Sequence, residues 1–139
     1  HGKKAQYALC ASQWHKTLTY KDNFFGDGLK YDADFTKAYG YAPPYQAAES
    51  SAALLVYKDA FERANSFDTK KLRDALAATK MQTFYGNVKF GSGGQNEAKP
   101  MVLFQVICEG DKCENKVVAP TKWASAKLIH PIPKWSQRK

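Results

Sequence analysis

Four side chains in this sequence are suited to holding a small organic molecule without reacting with it: Trp14, Tyr45, Gln46 and Glu49. An indole offers a flat apolar face with one N–H donor, a phenol a smaller face with a hydroxyl, and a carboxamide both donates and accepts. Tyr45, Gln46 and Glu49 are the polar exceptions in an alanine-rich stretch that follows Pro43-Pro44. In a helix they would occupy the first two turns, where unsatisfied N–H groups and the dipole favour an anion or a carbonyl oxygen. The same three also suit a plain solvated helix start. Trp14 ends the apolar run Gln6–Ser12, and in α/β proteins ligands are met at strand ends. A tryptophan there equally suits plugging the rim of a core.

Reactive chemistry finds less support. His15 lies near Ser12, but a strand end does not orient the two as a nucleophile–base pair, and His1 and His130 have no evident partners in sequence. Neither Asp32 and Asp34 nor Glu49 is matched by a second carboxylate in the way acid–base catalysis needs. Gly91-Ser92-Gly93-Gly94 lacks the following Lys-Ser/Thr and helix of a phosphate cradle. No His or Cys stands at ligand spacing from His15, so neither a metal nor a cofactor is expected. The reading is a protein that is not an enzyme.

The three cysteines leave an odd count. Cys108 and Cys113 bracket the turn-forming Glu-Gly-Asp-Lys between two β-like runs, which predicts a disulfide across a hairpin and an oxidising compartment. Cys10, in an apolar run, reads as a small buried residue. The formal charge of +8 raises nucleic acid as a partner, but the basic residues are interleaved with acids except at Lys134, Arg138 and Lys139. No groove-reading motif accompanies them, so nucleic acid is not expected. A small basic nucleic-acid or surface-interaction module, and more remotely a hydrolase, stand as the alternatives. No apolar run approaches bilayer length, which predicts a soluble protein, and the opening His-Gly-Lys-Lys reads as a processing boundary.

The elements that position these residues follow from spacing. One domain-sized chain of 139 residues can bury a real core. Gln6–Ser12 reads as a short buried strand. Leu29–Tyr39 reads as a helix closed by Gly40, with Tyr31, Phe35, Ala38 and Tyr39 along one side. Pro44 suits the first helical position of the next helix, which runs to about Ala64. Ala47, Leu54 and Phe61, with alanine rows beside them, make most of its circumference apolar or small and predict burial on more than one side. Asp68 caps a third helix carrying Leu72, Ala75, Leu76 and Thr79. Thr83–Phe90, Met101–Cys108 and Lys116–Pro120 read as strands, the last two forming the hairpin. The proline- and tryptophan-rich tail is expected to lie along the surface. Helices flanked by strands at both ends point to α/β or α+β, with the first and last parts able to share one sheet.

In order and spacing these motifs resemble the C-terminal portion of a type I periplasmic solute-binding protein, of the leucine/isoleucine/valine-binding-protein-like family that serves ABC importers. The resemblance spans nearly the whole chain. It rests on Gln13-Trp14, Tyr39-Gly40, Pro44-Tyr45-Gln46-Ala47-Ala48, Leu72-Arg73-Asp74-Ala75-Leu76, Thr83–Phe90, Val118-Ala119-Pro120 and Pro131-Ile132-Pro133-Lys134-Trp135. Two features differ from the family pattern: Ser92 stands where an aspartate is usual, and the Cys108/Cys113 insertion is not general.

The resemblance implies two α/β lobes closing on a small solute. Residues 1–19 would end lobe two, 20–84 would return to lobe one, and 85–139 would cross back with the hairpin and tail. Trp14, Tyr45, Gln46 and Glu49 would face the ligand, a branched-chain or other amino acid, an amide or an aromatic acid. Tyr85-Gly86 would lie near a crossing, the glycine absorbing dihedral change on closure. The implied partners are that solute, the membrane permease subunits of an importer, and either a missing N-terminal portion or a second copy covering the long helix. The implied location is the periplasm.

Overall fold

In the computed structural model, which describes residues 2–138, the chain divides into two compact units: residues 1–15 with 101–139, and residues 16–100. The first unit is built on a three-stranded antiparallel sheet. Strand β1 (Leu9–Ser12) pairs with β6 (Val102–Glu109), which pairs with β7 (Lys112–Ala119). The first and last parts of the sequence thus share one sheet, Cys10 lying opposite Phe104. A short 3-10 turn, Gly2–Ala5, precedes β1, and two more, Thr121–Trp123 and Trp135–Gln137, interrupt the tail. Val102, Val117, Gln105 and Trp123 form the interior, while Trp135 is exposed as expected of a surface-running tail. Cys10 corrects the sequence reading: β1 is an edge strand with only Ser12 buried, so the thiol is exposed.

The second unit holds all three α-helices. Strands β2 (Lys21–Asp22) and β3 (Gly26–Asp27) form a tight ribbon that delivers Asp27 to cap α1 (Gly28–Tyr39), where its side chain accepts from the Lys30 N–H. Gly40, at φ 78°, ends that helix in the left-handed conformation a side chain would resist. Helix α2 runs Tyr45–Ala64, and Pro44 sits at its N-cap rather than inside the first turn. Its burial is also narrower than expected. Ala48, Ala52, Val56 and Ala60, four residues apart, form a single buried row. Leu54, Tyr57 and Phe61 remain 69, 49 and 36% exposed, Phe61 meeting the ring of Phe67.

Helix α3 (Thr69–Ala77) turns its half-buried Leu72, Ala75 and Leu76 inward. Arg63 ties its C-terminal end to α2, donating to the Ala75 carbonyl at 2.8 Å and the Thr79 hydroxyl at 3.0 Å while gripping Asp59 at 2.7 Å. At the other end Asp68 Oδ1 accepts from the Lys71 N–H at 2.9 Å. Because α3 is only nine residues long and has no fully buried side chain, this cap is a large part of what holds its first turn. Asp68→Ala is expected to lower stability by about 1 kcal/mol in urea unfolding followed at 222 nm.

The stretch Thr83–Phe90, expected as one strand, is instead a hairpin. Strands β4 (Lys80–Thr83) and β5 (Gly86–Lys89) pair antiparallel with Phe84-Tyr85 at the turn. Local hydrogen bonds reverse the chain here: the Thr83 hydroxyl donates to the Gly86 carbonyl and accepts from the Gly86 N–H. Asp22 stitches this turn to the first ribbon, Oδ2 accepting from the Phe84 N–H at 2.7 Å and Oδ1 from Phe24 and Phe25. Phe84 is thereby set into a stack on Tyr31, ring centroids 4.2 Å apart.

Candidate functional site

Within the second unit the start of α2 meets the β4–β5 turn. Tyr45 opens the helix, 38% exposed, and Glu49 follows one turn later, also exposed. Both carry electrostatic influence onto the Tyr85 hydroxyl. Tyr85 itself is 7% exposed, and its hydroxyl is closed off from water with no hydrogen-bond partner among the described residues. A buried hydroxyl left in that condition costs about 1–3 kcal/mol, so it marks either stored strain or a site that functions by being met. Over the same ring lies the Lys99 ammonium, 4.1 Å from the centroid.

Gly86 makes that arrangement possible. A Cβ at this position would fall 2.3 Å from Lys99 Cδ and push the lysine stem aside; the φ of 153° also disfavours other residues. The resemblance gave this glycine a role in closure, whereas the geometry gives it one in admitting Lys99.

Glu49 and Tyr85 also line a cleft of about 510 Å³ that continues along α2 past Ala52 and Val56, with Leu76 of α3 and Val88 of β5 as further walls. Its remaining wall is the 91–96 loop. Asn96 holds that loop in place, accepting from the Lys89 N–H at 3.0 Å and donating to the Asn87 carbonyl at 2.9 Å. The cleft therefore has apolar walls from Ala52, Val56, Leu76 and Val88, with Glu49 and Tyr85 at the helix start and Arg73, Ser92 and Asn96 as further polar lining.

The charges at this end are unusual. Burial first, then the nearby Glu49 and Tyr45, holds the Tyr85 phenol well above its ordinary pKa, so it stays protonated and can donate. Burial pulls the Lys99 ammonium down to about 8, against the opposing pull of Glu49. At neutral pH both groups are donors, one neutral and one cationic. No group of three His, Cys, Asp or Glu side chains that could hold a metal occurs among the described residues.

Of the residues singled out in the sequence, Tyr45 and Glu49 are brought near Tyr85, and of the two only Glu49 lines the cleft. Gln46 is exposed on the neighbouring helical position and does not line the cleft. Trp14 belongs to the other unit, where it is 5% exposed and its backbone N–H donates to Ser12 Oγ. Cys108 and Cys113 are joined across the β6–β7 hairpin. Sequence reasoning missed Lys99 as a site residue, because a single lysine in a polar loop carries no signal of its own. It singled out Tyr85 only for its glycine neighbour.

The sequence model described as periplasmic binding protein matches residues 1–112. Among solved structures the chain is similar to a leucine-binding protein from Thermotoga maritima, at 20% identity and a TM-score of 0.62, over 85% of this chain and 32% of that one. It is similar to a periplasmic binding protein from Burkholderia mallei, at 18% identity and a TM-score of 0.68, over 89% and 35%. A branched-chain amino acid ABC transporter protein from Silicibacter pomeroyi matches at 16% identity and a TM-score of 0.68, over 94% and 36%. The chain thus spans about a third of the length of the solved structures it matches.

Proposed function

This chain belongs to the periplasmic binding protein family and carries part of the type I fold, and on that premise we propose that it contributes the solute-contacting part of a substrate-binding component of an ABC importer. The observation that supports this most is the gathering of Tyr45, Glu49 and Lys99 about Tyr85, where Glu49 and Tyr85 line a cleft with apolar walls. Such a site suits an organic molecule with an apolar or planar body and one hydrogen-bonding head, as in amino acids, amides and aromatic acids. Trp14 and Gln46 are proposed as further ligand contacts, which the resemblance implies. Capture followed by delivery involves no bond making, in keeping with a protein that is not an enzyme.

The partners on this reading are the solute and the permease subunits of the importer, and the compartment is the periplasm. No helix among the described residues is long and apolar enough to cross a membrane. Residues 1–19 are read as the end of lobe two, 20–84 as the return to lobe one, and 85–139 as the crossing back to lobe two. The exposed Leu54–Tyr57–Phe61 side of α2 is read as covered by an N-terminal portion of a longer protein, with self-association as the alternative. The Cys108–Cys113 bond suits an oxidising compartment.

The test is a thermal-shift screen of the full-length gene product with amino acids, amides and aromatic acids, followed by calorimetry on any hit. Tyr45→Ala is expected to weaken binding about tenfold or more while leaving unfolding within about 0.5 kcal/mol of wild type, since the ring is substantially exposed without ligand. A full-length protein that gains no stability from any member of the three classes would sink the reading.

A further inference from the structure

We propose that residues 121–138 form a docking surface for an anionic phospholipid bilayer, presented by the β6–β7 sheet. The inference goes beyond solute capture and does not depend on it. Three observations carry it, the first being charge. Residues 115–139 hold Lys116, Lys122, Lys127, Lys134, Arg138 and Lys139 but no Asp or Glu, so this stretch alone supplies +6 of the chain's net +8. Elsewhere many cations are neutralised locally, Lys16 by Asp32, Lys58 by Glu62 and Arg63 by Asp59, and Lys116 is likewise taken up by Glu114. Lys122, Lys127, Lys134 and Arg138 pair with no carboxylate among the described residues. An acid-free run of unpaired cations is drawn to a surface of fixed negative charge.

The second is the company these cations keep. Leu128, Ile129 and Trp135 stand between them in sequence and are exposed. The Arg138 guanidinium lies 5.3 Å from the centre of the Trp135 ring, so a cation and an indole are offered together. A bilayer interface takes both: lipid phosphates accept from ammonium and guanidinium groups, and the acyl boundary receives aliphatic and indole surface. Nucleic acid would meet the charges but leave Leu128 and Ile129 wet. Base stacking also calls for successive aromatic faces, whereas Trp123 is buried.

The third is the frame that carries them. Gln105 holds both the N–H and the carbonyl of Ile129. The Ser125 N–H donates to the Val117 carbonyl at 2.8 Å, and its hydroxyl accepts from the Val117 N–H at 3.1 Å. Arg138 Nε donates to the Pro133 carbonyl at 3.1 Å, and Pro131 and Pro133 restrict the backbone between these ties. The segment has little regular structure of its own, yet its backbone is ordered before any surface is met, which favours docking. On the solute-delivery reading, such a contact would keep the protein near the membrane that holds the permease.

The experiment is vesicle flotation of the full-length gene product, with phosphatidylcholine alone against phosphatidylcholine carrying about 30% phosphatidylglycerol. The protein is expected to float with the anionic vesicles only. Binding should weaken about tenfold or more as NaCl rises from about 0.05 to about 0.3 M. Each exposed cation contributes about fivefold at low salt, so the triple variant Lys122→Gln, Lys127→Gln, Lys134→Gln should lose about a hundredfold. A control triple, Lys37→Gln, Lys70→Gln, Lys71→Gln, removes the same charge from the unit of residues 16–100 and should stay within about threefold of wild type. Trp135→Ala should lose about fivefold or more, together with a vesicle-induced blue shift of tryptophan emission, since Trp14 and Trp123 are buried. Thermal unfolding without vesicles separates lost docking from lost folding. Failure to bind anionic vesicles, equal losses from the two lysine triples, or tighter binding to polyuridylate than to anionic vesicles would overturn the inference. None of these outcomes bears on solute affinity, so the solute-binding reading is judged separately.

Discussion

Phe84→Ala is expected to destabilise the unit of residues 16–100 by about 3–5 kcal/mol, a large share of what a small unit possesses. The ring is fully buried, stacked on Tyr31 at 4.2 Å and meeting Phe25 edge-on at 5.2 Å between centroids. Deleting it opens a cavity between α1, the first ribbon and the β4–β5 hairpin. The backbone cannot relax easily into that space, because the Phe84 N–H is fixed to Asp22 and the turn is closed by Thr83. Aromatic geometry adds about 0.5–1.5 kcal/mol beyond the area lost. All three α-helices lie in this unit, so loss of ellipticity at 222 nm in urea is the appropriate probe. Phe84→Leu, which keeps most of the volume, should lose clearly less. An alanine variant within about 1 kcal/mol of wild type would show that the aromatic cluster is not the centre of this unit.

The local code wrote most of the helices plainly. Gly40 and Asp68 stand at the ends of α1 and α3 as the sequence predicts, since capping is settled by a residue and its near neighbours. The pairing of β1 with β6 was also legible as a shared sheet, though it joins residues nearly a hundred positions apart. What could not be read was the turn at Phe84-Tyr85. Its residue types favour strand, and the local Thr83–Gly86 bonds that reverse the chain are backed by Asp22, which lies sixty-two positions away. The exposure of Cys10 likewise depends on β1 being an edge, a property of sheet order and not of the run Gln6–Ser12. For α2 the apolar residues were read correctly, but which row is covered depends on what packs beside it. The site divides in the same way. Tyr45 and Glu49 stood out as polar residues in an apolar helix, whereas Lys99 matters only because Gly86 and Tyr85 come under it in space.

In the other unit the decisive residue is polar. Gln105→Leu is expected to cost about 3 kcal/mol or more, although leucine fills nearly the same volume and is the more hydrophobic side chain. Gln105 is fully buried in the central strand β6, and its carboxamide uses both ends. Nε2 donates to the Tyr7 carbonyl and the Ile129 carbonyl, each at 3.2 Å, and Oε1 accepts from the Ile129 N–H at 2.9 Å. One side chain therefore fastens both the segment entering β1 and the tail beyond Trp123 onto the sheet. Leucine would strand three backbone groups, each carrying about 1–3 kcal/mol of lost hydrogen bonding when buried. The three tryptophans, Trp14, Trp123 and Trp135, all lie in this unit, so their fluorescence follows its unfolding. Gln105→Glu gives a sharper test with the same shape. A buried carboxylate loses solvation, so the folded state raises its pKa above the unfolded value. Its stability is then fully present below the unfolded pKa and lost as pH rises through the folded one. The glutamate variant should accordingly lie closer to wild type at pH 4 than at pH 7, whereas the leucine variant should show no such recovery. Equal losses for the glutamate variant at both pH values would mean that shape, not hydrogen bonding, is what Gln105 supplies.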